Sequence, residues 1–201
     1  MKKQEKLQLF YSFFETPLGY MCAIVDEKSL YFLQFIDNLE EIKKEIKDFS
    51  KKAYAIISEG ATPITELTIK EINQYFTQKL EKFSIPLVLY GTPFQIKIWL
   101  SLGDIPYGYL TCYTKFAEDV LGDKKLTRAA ATAIGKNNIL IIIPCHRITT
   151  TTYRTVQNEK TRGNYKGGPR RKELILIHER FMQEQSDLLQ SKTESSEEYF
   201  A

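Results

Sequence analysis

Residues 139–148 read Ile-Leu-Ile-Ile-Ile-Pro-Cys-His-Arg-Ile, and the rest of the chain is organised around this stretch. Its aliphatic, mostly β-branched run predicts a strand buried on both faces. Pro144 is expected to end that strand, because proline cannot donate to a strand ladder. A rigid strand of this kind can hold a nucleophilic Cys145 still at its end. Free cysteine is also among the most buried residue types, so an inert core cysteine stays open at this point.

The composition is that of an ordinary globular protein, with 201 residues, 43% hydrophobic and 26% charged. No apolar run approaches the length of a membrane span, and the N-terminus lacks the apolar region of a signal peptide. The three cysteines, Cys22, Cys112 and Cys145, form no disulfide framework, so we expect a reducing, cytoplasmic location. With only two histidines, a structural zinc site is not expected, and no cofactor is predicted.

Charge is unevenly distributed along the chain. Residues 91–181 carry 15 Lys or Arg against 7 Asp or Glu, including all seven arginines, whereas residues 182–201 are acidic. Arginine interleaved with lysine suits phosphate contact, although a solvated basic face would look the same. The charge pattern alone is weak evidence for nucleic acid.

The first part of the chain reads as an α/β unit. Strands are predicted over 8–14, 20–25, 29–35 and 53–58, with helices over 37–49 and 65–80. Cys22 lies within an apolar strand and is assigned to the core. An extended connection over 83–90 marks the expected boundary with a mainly helical second part. We therefore divide the chain into domains at 1–88 and 89–181, followed by a tail at 182–201 with the composition of a disordered segment.

Two short helices in the second part match a helix-turn-helix. Thr114 is expected to cap the first of these helices, over 115–121, and Thr127 the second, over 128–134. An earlier helix is expected to begin at Thr92 and Pro93. Small alanines in the helix over 128–134 would let its backbone approach a partner closely, or would let it pack tightly on its own core. Arg128 stands in the first turn, where acids are preferred, and is therefore a functional candidate.

Three blocks of residues then stand in a fixed order. They are Gly-Thr-Pro-Phe-Gln at 91–95 with Ile-Pro-Tyr-Gly at 105–108, Pro-Cys-His-Arg at 144–147, and Gly-Asn-Tyr-Lys-Gly-Gly at 163–168 with Lys-Glu at 172–173 and His-Glu at 178–179. This set resembles the O6-alkylguanine-DNA alkyltransferase family, the methylated-DNA–protein-cysteine methyltransferases. The likeness is strongest over 91–179 and extends weakly into the first part. It implies an α+β fold, in which a ribonuclease H-like α/β subdomain precedes a mainly helical domain with a helix-turn-helix.

The resemblance implies a single-turnover reaction on double-stranded DNA that contains O6-alkylguanine, and possible action on O4-alkylthymine. Cys145 matches the nucleophile that keeps the alkyl group, and His146 the base that takes its proton through a water. Glu179 matches the carboxylate that orients His146, and Asn137 matches the residue that supports this network. Tyr113 matches the residue that donates a proton to the leaving guanine. The base-pocket residues implied are Tyr165, Lys166, Gly167 and Arg147.

The resemblance also implies base flipping, with a monomer entering the minor groove through the second helix of the helix-turn-helix. Arg128 matches the residue that fills the vacated place in the stack. The other residues assigned to DNA binding are Thr127, Ala129, Ala130, Lys124, Lys125 and Lys136.

Several positions depart from the family pattern. Lys166 stands where serine is usual, Asn138 replaces a common proline, and the loop after Arg147 is longer than usual. Two other functions stay open from sequence: a non-catalytic module that recognises alkylated guanine, and a Cys-His hydrolase with turnover. The presence of Cys145 argues against the first. A Cys-His hydrolase would not explain the helix-turn-helix or the excess of basic residues over 91–181.

Overall fold

A computed structural model of the chain describes residues 5–150 and 163–179. The N-terminal half contains four strands and two helices, whose bounds are β1 Leu7–Thr16, β2 Gly19–Val25, β3 Leu30–Phe35, α1 Leu39–Ala53, β4 Ala55–Glu59 and α2 Pro63–Phe76. The C-terminal half is mainly helical, with α3 Pro93–Leu102, β5 Thr111–Cys112, α4 Tyr113–Leu121, α5 Thr127–Ile134, β6 Ile148–Thr149 and a last helix α6 at 169–179. The predicted α+β class is confirmed.

The four-stranded sheet has the order β3-β2-β1-β4. β1 pairs antiparallel with β2, and β2 with β3, as expected for strands joined by short turns. β4 returns through α1 and lies parallel to β1. This order leaves β3 at an edge of the sheet, where its backbone is available to the C-terminal half.

Helix boundaries follow local capping chemistry where a good cap is present. The Asn38 side chain accepts from two amides at the start of α1, and Thr92 forms a capping box with Gln95 at the start of α3. The predicted caps Thr114 and Thr127 are wrong. Cys112 caps α4 through its sulfur, and the hydroxyl of Thr127 instead donates to the Lys124 carbonyl.

Residues 139–143 are largely buried, as predicted, but the prediction that they form a strand is wrong. These residues form a compact turn, in which Ile141 has a φ of 70° and only Ile139 makes a single bridge, to Leu33 of β3. A positive φ at a β-branched residue costs about 1–2 kcal/mol, so surrounding contacts must hold the turn in place. Cys145 to Arg147 then form one turn of 3₁₀ helix.

The C-terminal half packs directly on the sheet domain. The Leu33 amide donates to the Asn138 carbonyl at 2.7 Å, and the Leu140 amide donates to the Leu33 carbonyl at 2.9 Å. One apolar core runs through both halves of the chain. Within the described ranges, no helix combines the length and apolar character that a membrane span requires. The predicted tail at 182–201, and most of the loop after Arg147, lie outside the described residues.

Candidate active site

Cys145 lies at the start of the 3₁₀ turn that follows the buried isoleucine turn. It is 4% exposed, and its sulfur accepts a hydrogen bond from Asn137 Nδ2 at 3.2 Å. Burial raises the pKa of the Cys145 thiol, while the amide of Asn137 and the positive charge of Lys172 act in the opposite direction. The thiol is therefore protonated at rest, and partners that favour its thiolate stand beside it.

Asn137 supports the turn that presents Cys145. It is fully buried, and its Nδ2 group donates to the carbonyls of Ile139 and Ile143 as well as to the Cys145 sulfur. Its Oδ1 accepts from the Ile139 amide at 2.9 Å, and its own carbonyl accepts from Gln34 of β3. One amide side chain thus binds both the backbone turn and the sulfur.

His146 and Glu179 form a fully buried pair. His146 Nε2 lies 2.8 Å from Glu179 Oε1, and the two side chains are 0% and 1% exposed. A carboxylate only accepts, so the ring proton is assigned to Nε2, which leaves Nδ1 as an acceptor. Burial lowers the pKa of His146 against the opposing effect of Glu179, and the imidazole is neutral near pH 7. It is therefore ready to accept a proton at Nδ1, which has no hydrogen-bond partner within the described part of the chain.

Glu179 is held ionised by several donors. Burial alone would raise the pKa of its carboxyl, but His146 and Arg147 outweigh that cost and hold it well below its usual range. Arg147 donates to both carboxylate oxygens at 3.0 Å, and the Tyr75 hydroxyl donates to Oε1 at 2.8 Å. The Gly108 amide lies 3.4 Å from Oε2. Because Arg147 already balances the carboxylate, His146 does not need to be charged.

Arg147 differs from its predicted place in the base pocket. Its guanidinium is buried against Glu179, donates to the Ile105 carbonyl at 2.6 Å, and lies over the ring of Tyr107. It belongs to the network around the carboxylate, because a buried guanidinium needs a buried counter-charge.

Lys172 is a buried cation that was not predicted from the sequence as part of the site. Its side chain is fully buried, and its ammonium donates to the Ile148 carbonyl. Burial lowers the pKa of Lys172 to about 8, whereas the charge of Cys145 acts to raise it. This ammonium stabilises a thiolate at Cys145 in turn. Lys172 belongs to one of the blocks on which the resemblance rests, but the sequence alone assigned it no role. Its burial near Cys145 is what points to one.

Tyr113 and Tyr165 lie around the same centre. The Tyr165 ring is edge-on to His146 with centroids 6.2 Å apart, and its buried hydroxyl has no partner among the described residues. The Tyr113 hydroxyl lies 3.4 Å from the Asn164 carbonyl. A Cβ added to Gly163 would come within 3.0 Å of the Tyr113 ring, and the φ of 71° at this position is one that residues with a side chain rarely adopt.

The ammonium of Lys166 contacts α1, and its positive charge also acts to lower the pKa of the Cys145 thiol. Its ammonium lies 2.9 Å from Glu45 of α1 and 3.2 Å from the Asn138 side chain. The cation that replaces the usual serine is therefore engaged at the boundary between the two halves. Gly167, by contrast, is packed against the Tyr165 ring, where an added Cβ would come within 2.5 Å.

The proposed DNA-contacting residues fall on two faces of α5. Arg128 and Ala129 are exposed, and Lys124, Lys125 and Lys136 are exposed at its two ends. Ala130 differs from its predicted role, because its side chain is fully buried with Ala133 and Ile134 at helical spacing. Packing on the core is therefore shown for part of the helix, where Trp99 donates to the Ala133 carbonyl at 2.9 Å, whereas Ala129 lies on its exposed face.

Two family models together match most of the chain. The model of the 6-O-methylguanine DNA methyltransferase ribonuclease-like domain matches residues 9–89, and the model of the DNA binding domain of the same name matches residues 93–181.

Curated relatives agree with these models. A methylated-DNA–protein-cysteine methyltransferase of Shigella flexneri is 34% identical over 170 residues, which cover 83% of this chain and 93% of that protein. One from Methanosarcina acetivorans is 31% identical over 140 residues, covering 70% and 83% of the two chains.

Solved structures show the same architecture. The O6-methylguanine methyltransferase of Mycobacterium tuberculosis matches with a TM-score of 0.68 and 28% identity, covering 87% of this chain and 94% of that one. The OGT protein of the same organism in complex with DNA matches with a TM-score of 0.67 and 26% identity, covering 86% and 94%.

Proposed function

The chain belongs to the 6-O-methylguanine DNA methyltransferase family, and from that premise we propose that Cys145 is its alkyl acceptor and O6-alkylguanine its substrate. The protein is a DNA repair enzyme that transfers an alkyl group from DNA to a cysteine. The observation that carries the proposal is the neutral His146, held by an ionised Glu179 directly after the buried Cys145.

The reaction is a single displacement. The Cys145 sulfur forms a bond to the alkyl carbon as the bond from that carbon to guanine O6 breaks. The thiol proton passes to His146 Nδ1, and the unpartnered Nδ1 supports a relay through one water. Tyr113 supplies a proton to the guanine that leaves, and the proton taken up by His146 makes good this loss through solvent, so that no net charge remains on the two side chains. The product is a thioether, which has no route back to the thiol, so each molecule acts once.

Binding is expected to depend on phosphates more than on base sequence. Exposed Lys124, Lys125 and Lys136 flank α5, and Thr127 stands at its start. We propose that a monomer places the outer face of α5, with its small Ala129, in the minor groove. The target base must leave the helix to reach a buried sulfur, so base flipping follows from the burial of Cys145.

Intact-protein mass spectrometry after mixing with duplex DNA that contains O6-methylguanine tests the proposal. We expect one added methyl group per chain, and peptide mapping should place it on the peptide that contains Cys145. Cys22 and Cys112 in the same sample serve as internal controls, because Cys22 is buried in the other half and burial raises its pKa to about 12. Tight binding without a mass change would favour a recognition module. Many product molecules per chain would exclude single turnover.

Arg128→Ala should separate base flipping from chemistry. The exposed Arg128 makes no hydrogen bond through its side chain that stabilises the described fold, so the variant is expected to fold normally. Repair of duplex DNA should slow by roughly tenfold or more, since unstacking a base costs a few kcal/mol. Transfer from a free O6-alkylguanine base should change little. Arg170→Ala, which removes an exposed arginine from α6, is the matched control. Equal losses with both substrates would remove the flipping role.

A further inference from the structure

The turn at 163–168 brings Tyr165 to the reacting centre and rests against the N-terminal half. A Cβ on Gly167 would lie 2.5 Å from the Tyr165 ring, 2.9 Å from Phe35 and 3.2 Å from Leu140. Gly167 therefore lies between the Tyr165 ring on one side and Phe35, at the end of β3, on the other. Any displacement relative to β3 moves the aromatic ring beside His146.

An ion pair between Lys166, in this turn, and Glu45 of α1 joins the turn to the N-terminal half. Lys166 Nζ lies 2.9 Å from Glu45 Oε2 on α1 and 3.2 Å from Asn138 Oδ1, with the ammonium 5.7 Å from the Phe32 ring centroid. The lysine side chain is 27% exposed and the glutamate 41%. The contact thereby fixes against α1 an ammonium that is carried on a flexible four-carbon stem.

A second ionic contact holds the turn where it enters α6. Both terminal nitrogens of Arg171 bind the Asp37 carboxylate, at 2.6 and 2.8 Å. Arg171 Nε also donates to the Leu18 carbonyl, and Nη1 donates to the Gly167 carbonyl at 3.1 Å. The guanidinium lies 4.5 Å from the Phe35 ring centroid. This arginine joins the turn, through Gly167, to two separate parts of the sheet domain.

We propose that Glu45–Lys166 and Asp37–Arg171 act together as a clamp by which the N-terminal half sets the position of Tyr165 and so determines which alkyl groups reach Cys145. The inference rests on the proposed function. Both acids come from the segment after β3, and both bases come from the turn or the helix behind it. The Glu45–Lys166 pair is partly exposed and contributes little to the free energy of unfolding, so its main effect is on geometry. Glu45 and Asp37 are positioning residues, since neither contacts the reacting atoms.

The test compares transfer rates from two free bases, O6-methylguanine and O6-benzylguanine. Free bases are used because they remove the phosphate contacts whose salt dependence would obscure the result. In the double variant Glu45→Gln with Asp37→Asn, the ratio of the two rates should shift toward the benzyl substrate by roughly threefold to tenfold. A Tyr165 ring released from its position restricts the larger group less, and rates respond steeply to small displacements in a positioned site. Glu41→Gln, an exposed glutamate on the same helix, should leave the ratio unchanged.

Salt and charge reversal distinguish a clamp from a general structural role. Raising the NaCl concentration should move the wild-type ratio toward that of the double variant, and should leave the variant's own ratio constant. Lys166→Glu alone should shift the ratio, and adding Glu45→Lys should restore it. A double variant that keeps the wild-type ratio, while the wild-type protein still takes one methyl group on Cys145, would overturn the clamp and leave the proposed function intact. A wild-type protein that takes no alkyl group would overturn both.

Discussion

Glu179→Gln is expected to slow alkyl transfer by about two to four orders of magnitude, the contribution of a positioned general base. The substitution keeps the shape of the side chain and removes its charge. His146 then loses the carboxylate that fixes its proton on Nε2 and acts to raise its pKa. Its Nδ1 becomes a weaker and less well oriented base. Single-turnover rates on duplex DNA that contains O6-methylguanine measure the loss.

The same substitution should destabilise the fold. Arg147 donates twice to Glu179 and is nearly buried, so glutamine leaves a buried guanidinium without its counter-charge. Breaking a buried pair in this way costs about 3–5 kcal/mol, which urea unfolding can measure. Glu40→Gln breaks an exposed pair with Lys43 and should change the unfolding free energy by less than about 1 kcal/mol. A Glu179→Gln protein of wild-type rate would show that His146 needs no orienting carboxylate.

Asn137→Ala should affect the thiol and the fold together. The Ile139 amide and the Ile143 carbonyl would lose their buried partner, at about 1–3 kcal/mol for each group left unpaired. The Cys145 sulfur would lose the hydrogen bond that lowers its pKa, so the pKa would rise further above its usual value. The thiolate fraction at neutral pH would fall, and reaction would need a higher pH.

The pH dependence of alkylation by iodoacetamide, followed on the peptide that contains Cys145, measures this shift. In Asn137→Ala its midpoint should move to higher pH. Asn73→Ala removes an exposed asparagine from α2 and should leave both midpoint and stability unchanged. A midpoint that stays in place in Asn137→Ala would assign the residue to the backbone turn alone.

Local chemistry made much of the fold predictable. Runs of β-forming apolar residues between turns marked the strands of the sheet. Thr92 marked the start of a helix through ordinary capping, and Asn38 caps the helix that was predicted over 37–49. The strand predicted over 139–143 is a turn in the structure. Buried, β-branched residues occur both in core strands and in buried turns, so this pattern does not distinguish the two. What decides between them is whether partners exist for the backbone, and these come from the Asn137 side chain and the Leu33 edge rather than from a ladder.

The site was predictable where its members are close in sequence or carry the family pattern. Cys145, His146, Asn137 and Glu179 come together as the resemblance implied. Tyr75 lies in the helix predicted over 65–80, and nothing local shows that its hydroxyl meets a carboxylate 104 residues away. The places of Arg147 and Lys166 depended likewise on partners from distant elements, Glu179 and Glu45. Side-chain direction in a folded core is a tertiary property.

The pairing between β3 and the segment at 138–140 also orders events during synthesis. The sheet domain leaves the ribosome first, and domains generally fold as units in that order. Its open edge at Leu33 then serves as a template on which the isoleucine turn closes. His146 gains its carboxylate only after Glu179 has emerged and met the Tyr75 hydroxyl, which is already in place on α2. The network around Cys145 is thus completed only after the sheet domain and α5 have been synthesised.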